Sequence, residues 1–210
     1  MNKLDLRPYK GPLSLKEVAR GFKLCTQNAE SLLDAAEELA SKGSYGHAFA
    51  LVILSEEEIA KSLMLATAAT LDESDEKSWT KFWLRFRKHK AKQDDLLLFD
   101  FFACESVTAE DTFKEMKSSV LERLKQLGIY VDNLDGSFVS PKTLFSKAEV
   151  RKLVKDELNL ARNRLKHLKK INEKVDAKIL KKLKKRAKGQ KLMSFKKMLE
   201  EYRQIIEDSG

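Results

Sequence analysis

Three prolines and eight glycines are nearly all the chain-breaking residues available to 210 positions. So little turn material argues against an all-β or parallel α/β fold and fits long helices with short connections. Cysteine is equally scarce. Cys25 and Cys104 lie far apart in apolar surroundings, which reads as two buried, reduced thiols rather than a disulfide or a nucleophile. Long apolar runs are missing too. The longest, Ala48 to Leu54, falls far short of the roughly 20 residues that span a bilayer. Residues 1–15 have no apolar signal-peptide region. The expectation is a cytoplasmic protein with no membrane partner.

What the chain has in quantity is Lys, Glu, Leu and Ala, the residues that favour helix. Its length suits one sizeable core, expected over residues 1–175, with a basic helical extension over 176–210. Charge is unevenly placed. Residues 147–198 hold 20 Lys and Arg against 5 Asp and Glu, while the rest of the chain holds 21 against 27. Such a basic stripe attracts a phosphate backbone or serves as a solvated helix face, and both readings stay open.

Periodicity supplies the elements. Ser14 with Glu17 forms a capping box before apolar positions Leu15, Val18, Phe22, Cys25, Ala29, Leu32, Leu33, Ala36 and Leu39, and Gly43 closes this first helix. A second helix starts near Ser44 and is apolar nearly all round, which predicts a central position. After a polar link at 70–78, Trp79, Phe82, Trp83 and Phe86 mark a third helix. The stretch from Leu96 to Cys104 reads as helix continuing into the core, and a fourth helix is expected over about 109–127, stopped by Gly128. Ile129 to Asp132 is β-prone, Asp135-Gly136 is a turn and Ser140-Pro141 a stop. These predict an extended connection or short hairpin near 129–140. A long helix then runs from Ser146 through Leu168 and fades toward Gly189, and a short one is expected from Ser194 to Asp208.

Most residues with chemical potential read as structural. Glu56, Glu57 and Glu58 lack the Glu-x-x-His pairs of a di-metal bundle, and the spacing of Glu57 and Lys61 predicts an ion pair. Asp132 to Gly136 lacks the closing Glu of a calcium loop. No phosphate-binding glycine loop, serine elbow or zinc-type cysteine pair occurs. No metal and no cofactor is expected. Of three histidines, His47 sits in the apolar start of the second helix and reads as a satisfied core residue. His89 lies in Arg85-Phe-Arg87-Lys-His89-Lys90-Ala-Lys92, where Arg85 and His89 share a helical face. His167 lies in Arg162-Asn163-Arg164-Leu165-Lys166-His167, where Asn163 and His167 share a face and Arg162 stands roughly 140° away. A histidine beside arginine is what metal-independent RNA cleavage needs: one group to move protons and a guanidinium to hold the phosphate. The same clusters also suit a plain basic helix face.

Four segments taken together resemble the AbiV family of abortive-infection proteins: Leu13-Ser-Leu-Lys-Glu-Val-Ala-Arg-Gly21, Ala50-Leu-Val-Ile-Leu-Ser-Glu-Glu-Glu-Ile-Ala-Lys61, Phe82-Trp-Leu-Arg-Phe-Arg-Lys-His-Lys-Ala-Lys92, and Gly128-Ile-Tyr-Val-Asp132 before Ser140-Pro141. The resemblance runs from Leu13 to about Leu168. It implies an all-α, HEPN-like helical bundle, a homodimer, and a role in stopping phage growth by blocking translation. HEPN ribonucleases carry Arg-x4–6-His on the last core helix, and Arg162-Asn163-x3-His167 fits in type and spacing. By that resemblance His167 is the acid or base, Arg162 holds the scissile phosphate and Asn163 orients one of them. The cluster of Arg85, Arg87 and His89 is the near-equal rival, one residue short of the motif. Lys92, Arg164, Lys166, Lys181, Lys184, Lys185 and Arg186 would hold the backbone of ribosomal or transfer RNA. Two other readings remain: a non-enzymatic factor that occupies the ribosome or a phage-encoded activator, and an inactive partner for another toxin.

Overall fold

The computed structural model describes residues 8–89, 91–92, 95–96, 118–187, 201 and 204–205. Its elements are α1 (Leu15–Ser41), α2 (Tyr45–Ala68), α3 (Glu76–Arg87), α4 (Ser118–Leu127), β1 (Asp132–Leu134), β2 (Ser137–Val139), α5 (Pro141–Leu144), α6 (Ala148–Asn172) and α7 (Ala177–Ala187). The fold is an all-α bundle with one small hairpin, as the sequence predicts. The expected helical stretch beyond Leu96, the start of the helix at 109, most of the one at 194–208 and Cys104 fall outside the described residues.

The first two helices form the scaffold. Ser14 caps α1 by accepting from the Glu17 N–H at 3.2 Å. At the other end Gly43 takes φ of 78°, while the N–H groups of Ser44 and Gly43 return to the carbonyls of Leu39 and Ala40. That is a Schellman stop, and glycine allows it without a Cβ clash. The chain reverses so tightly that α1 and α2 pack antiparallel: the Ser55 hydroxyl donates to the Ala29 carbonyl at 2.7 Å, and Gly21 faces Leu65. Because α2 is apolar on almost every side, it is covered from several directions, by α1, α3, α4, α5 and α6. Phe49, Val52, Ile53, Ile59 and Leu63 are all buried.

α4 reaches α2 through two glycines. A Cβ on Gly128 would stand 2.4 Å from the Gly46 carbonyl oxygen, and one on Gly46 would stand 3.0 Å from the Gly128 oxygen. Only two bare backbones can meet so closely. The expected connection at 129–140 is the β1–β2 hairpin, with Asp132 opposite Val139 and Leu134 opposite Ser137. Asp135 and Gly136 both take positive φ at its tip, the primed turn that matches strand twist.

α6 lies along both α1 and α2, with Val154, Leu158, Ala161, Leu165 and Leu168 buried at steps of three and four. α7 docks on α1, and its Leu180 and Leu183 are fully buried in the same core. Among the described residues no helix is long and apolar enough to cross a membrane.

Candidate functional site

Three consecutive glutamates on the central helix need partners in three directions, because successive helical residues turn by roughly 100°. Glu58 is taken by Lys61 at 2.5 Å, so the expected pairing of Glu57 with Lys61 gives way to a neighbour one residue closer. Glu56 is taken by Arg164 of α6. Glu57 turns toward α4 and the segment after α3, where it becomes the hub of a polar centre.

Its Oε2 accepts from Lys92 Nζ at 2.6 Å and lies 2.6 Å from His89 Nδ1, while its Oε1 accepts from Lys125 Nζ at 2.9 Å. Lys125 also pairs with Glu122 at 2.7 Å. Glu57, Lys92 and Lys125 are buried, whereas the His89 side chain is 49% exposed. An ionised carboxylate only accepts, so the short contact requires the proton on Nδ1 and leaves Nε2 as the basic nitrogen. Lys125 stands 3.4 Å from the same Nδ1, too long to compete. The result is a histidine oriented by a buried carboxylate and set beside two ammonium groups, an arrangement that moves protons next to an anion.

The break in the chain that makes this possible was not legible as sequence. α3 ends at Arg87, and Lys88 is extended, with φ of −85° and ψ of 124°. Arg85 and His89 therefore do not share one helical face as the spacing predicts. His89 turns in to Glu57, Arg85 pairs with Asp95 at 2.8 Å, and Arg87 donates to the Tyr9 carbonyl while lying 5.1 Å from the Trp83 ring centre.

Burial alone would push the Glu57 carboxyl up, but the hydrogen bonds and charges of Lys92 and Lys125 outweigh it and hold the group below its ordinary value of 4.5. Lys125, depressed by burial, is carried above its ordinary 10.5 by Glu122 and Glu57. Both directions keep the cluster charged. A carboxylate lowered in the folded state adds stability that is complete above its unfolded value and disappears as pH falls through the folded one. We therefore expect the urea midpoint to drop as pH falls below about 4.5, and Glu57→Gln to lose part of that acid sensitivity. An unchanged pH profile in the variant would contradict the charged pair. The lysine contribution has the opposite sign, and should be lost only as pH rises through the raised value, above 10.5.

Glu57, His89 and Glu122 also stand at metal-ligand spacing, with donor atoms within 4.8 Å of one another. Both Glu57 oxygens hold ammonium groups and Glu122 holds Lys125. A cation would have to displace those lysines before it could bind.

The other histidine cluster is arranged differently. Arg162 is clamped by α1, with Nε 3.0 Å from Glu37 and Nη2 2.9 Å from Asp34. Burial lowers its affinity for its proton and the two carboxylates more than restore it. Asn163 is exposed on the outer face and His167 is half-buried. Two proposed RNA contacts need correction. Arg164 is 1% exposed and Lys92 3% exposed, each held by a carboxylate on α2, so neither reaches a phosphate backbone. Lys166, Lys181 and Lys185 are exposed, while Lys184 pairs with Glu73 and Arg186 with Glu201. His47 is corrected as well: it is exposed rather than core, 2.9 Å from the Ser44 hydroxyl. Cys25 is a buried free thiol, pushed up to about 12 by burial and then by Glu58, so it stays protonated and inert at neutral pH.

Glu57, Lys125 and Glu122 escaped sequence reasoning. The available signal was a run of acids in an otherwise apolar helix, which demands buried basic partners.

A family model described as AbiV, of the HEPN class, matches residues 17–162. This chain belongs to the AbiV family. Membership makes it an abortive-infection defence protein of the HEPN superfamily. The AbiV match contains Glu57, His89, Lys92, Glu122 and Lys125, and it ends at Arg162, so His167 and α7 lie beyond it. Comparison with curated proteins and with solved structures gave no match.

Proposed function

We propose that this AbiV protein is a metal-independent endoribonuclease that arrests translation on phage infection, with His89 as the proton-transfer group. The single observation that carries this reading is the 2.6 Å contact of His89 Nδ1 with buried Glu57, which leaves Nε2 basic on a half-exposed ring. His89 takes the proton of a 2′-hydroxyl as O2′ attacks the phosphorus. The P–O5′ bond breaks, leaving a 2′,3′-cyclic phosphate, and the 5′ oxygen departs with a proton from water. Nearby Arg85, 58% exposed, is placed to approach the phosphate. The protein acts as a homodimer, so light scattering should give about twice the 24.1 kDa chain mass.

The decisive experiment incubates purified protein with total cellular RNA, with and without infected-cell lysate, and analyses the new ends. Cyclic phosphates paired with 5′-hydroxyls support the proposal. Intact RNA in both arms, alongside retained phage protection, would favour occupancy of the ribosome or of a phage-encoded activator.

Backbone binding is assigned to the exposed lysines. Affinity for single-stranded RNA should fall with salt, with a logarithmic slope of about −0.7 per neutralised phosphate. Changing both Lys181 and Lys185 to Gln should flatten that slope by roughly one unit. These side chains are exposed, so the fold is spared, whereas removing α7 would strip Leu180 and Leu183 from the core. Identical slopes would make the stripe a solubilising face.

A further inference from the structure

A cleft of about 560 Å³ opens where the start of α2 meets α5 and the first turn of α6. This volume is in the range of small-molecule sites. Its walls bring together Lys42, Tyr45, His47, Lys142, Phe145 and Arg151, and no Asp or Glu is among its lining residues. Lys42 is already answered by Glu38 at 2.6 Å. Lys142 and Arg151 are exposed, and among the described residues neither has an ion-pair partner. The excess positive charge facing the cleft therefore comes from these two side chains.

The floor has a different character. Phe145 is buried against Phe49, with ring centres 5.9 Å apart, and Tyr45 lies beside it. The Arg151 guanidinium sits 5.9 Å from the Tyr45 ring centre. A carboxylate-free cationic rim rejects cations and selects an anion. An aromatic floor suits a flat, weakly polar ring. A ligand that satisfies both carries a phosphate and a planar base.

We propose that this cleft binds a nucleoside phosphate, with the phosphate on Lys142 and Arg151 and the base against Tyr45 and Phe145. The site is separate from the Glu57 centre: Gly46 and Glu57 are eleven residues apart on α2, or roughly 16 Å at about 1.5 Å per residue. It stands without the ribonuclease reading. The nucleotide is either free in solution or part of an RNA strand, since both present the same chemistry.

The test is isothermal titration of the full-length protein with AMP, UMP, adenosine, inorganic phosphate and a short 2′-O-methylated oligoadenylate. The methylated strand has no free 2′-hydroxyl, so cleavage cannot confuse the result. We expect saturable binding of a mononucleotide or of the strand, with adenosine and phosphate each at least tenfold weaker. Replacing both Lys142 and Arg151 with Gln should weaken binding roughly tenfold or more while circular dichroism stays unchanged. Binding of AMP or UMP identifies a free nucleotide as the ligand, and binding of the strand alone identifies RNA. Phosphate binding as tightly as the nucleotides, binding unaffected in the double variant, or no saturable binding at all would overturn the proposal.

Discussion

His89→Ala should lower RNA cleavage by a factor of about 10² to 10⁴, the range for losing a positioned acid or base, and should abolish phage protection. Its side chain is half-exposed, so helicity and thermal midpoint should change little. Glu57→Gln should also impair cleavage, by removing the acceptor that fixes the proton on Nδ1. A glutamine side chain can turn its amide toward Nδ1, so the bell-shaped pH profile of cleavage should shift as well. His167→Ala and Arg162→Ala provide the contrast. Arg162 is engaged by Asp34 and Glu37, and its loss should leave cleavage within a few-fold of the wild type. The reverse pattern, with His167→Ala inactive and His89→Ala silent, would move the active surface to α6 and reinstate the Arg-x4-His pairing that the family resemblance implies. Single-turnover assays on one RNA substrate, with each variant checked for helicity and mass, separate the two.

Arg164→Ala should be the most destabilising single change. The guanidinium is buried between Glu56 and Glu157, which are 3% and 4% exposed. Removing it strands two carboxylates in a low-dielectric interior. Breaking such a buried pair costs about 3–5 kcal/mol, a large share of the roughly 5–15 kcal/mol that holds a domain together. The loss should appear as a urea midpoint lowered by a third or more, or as failure to fold at 37 °C. Glu56→Gln with Arg164→Met should recover part of the loss, because neither variant side chain then carries a buried charge. An Arg164→Ala protein of wild-type stability that binds RNA poorly would instead return this residue to the nucleic-acid surface.

These two expectations differ in where they could have been found. The helices were legible because their determinants are local: the Ser14 cap, the Gly43 stop, the three- and four-residue spacing of Trp79, Phe82, Trp83 and Phe86, and the Asp135-Gly136 turn act within a few residues of themselves. The central place of α2 followed from its lack of a polar face. Ion-pair partners were not legible, since Lys and Arg reach carboxylates across the fold as readily as along a helix. Arg164, Lys92 and Lys125 looked like members of basic stripes.

Sequence alone therefore determined the all-helical class, most element boundaries and the family, because each depends on short-range pattern. Tertiary structure decided which charges are buried. It used an extended residue at Lys88 to swing His89 off the line of α3, and it used the approach of α4 to carry Lys125 to Glu57, 68 residues away in the chain. The desolvation of a carboxylate depends on what covers it in space, and no spacing along the chain records that.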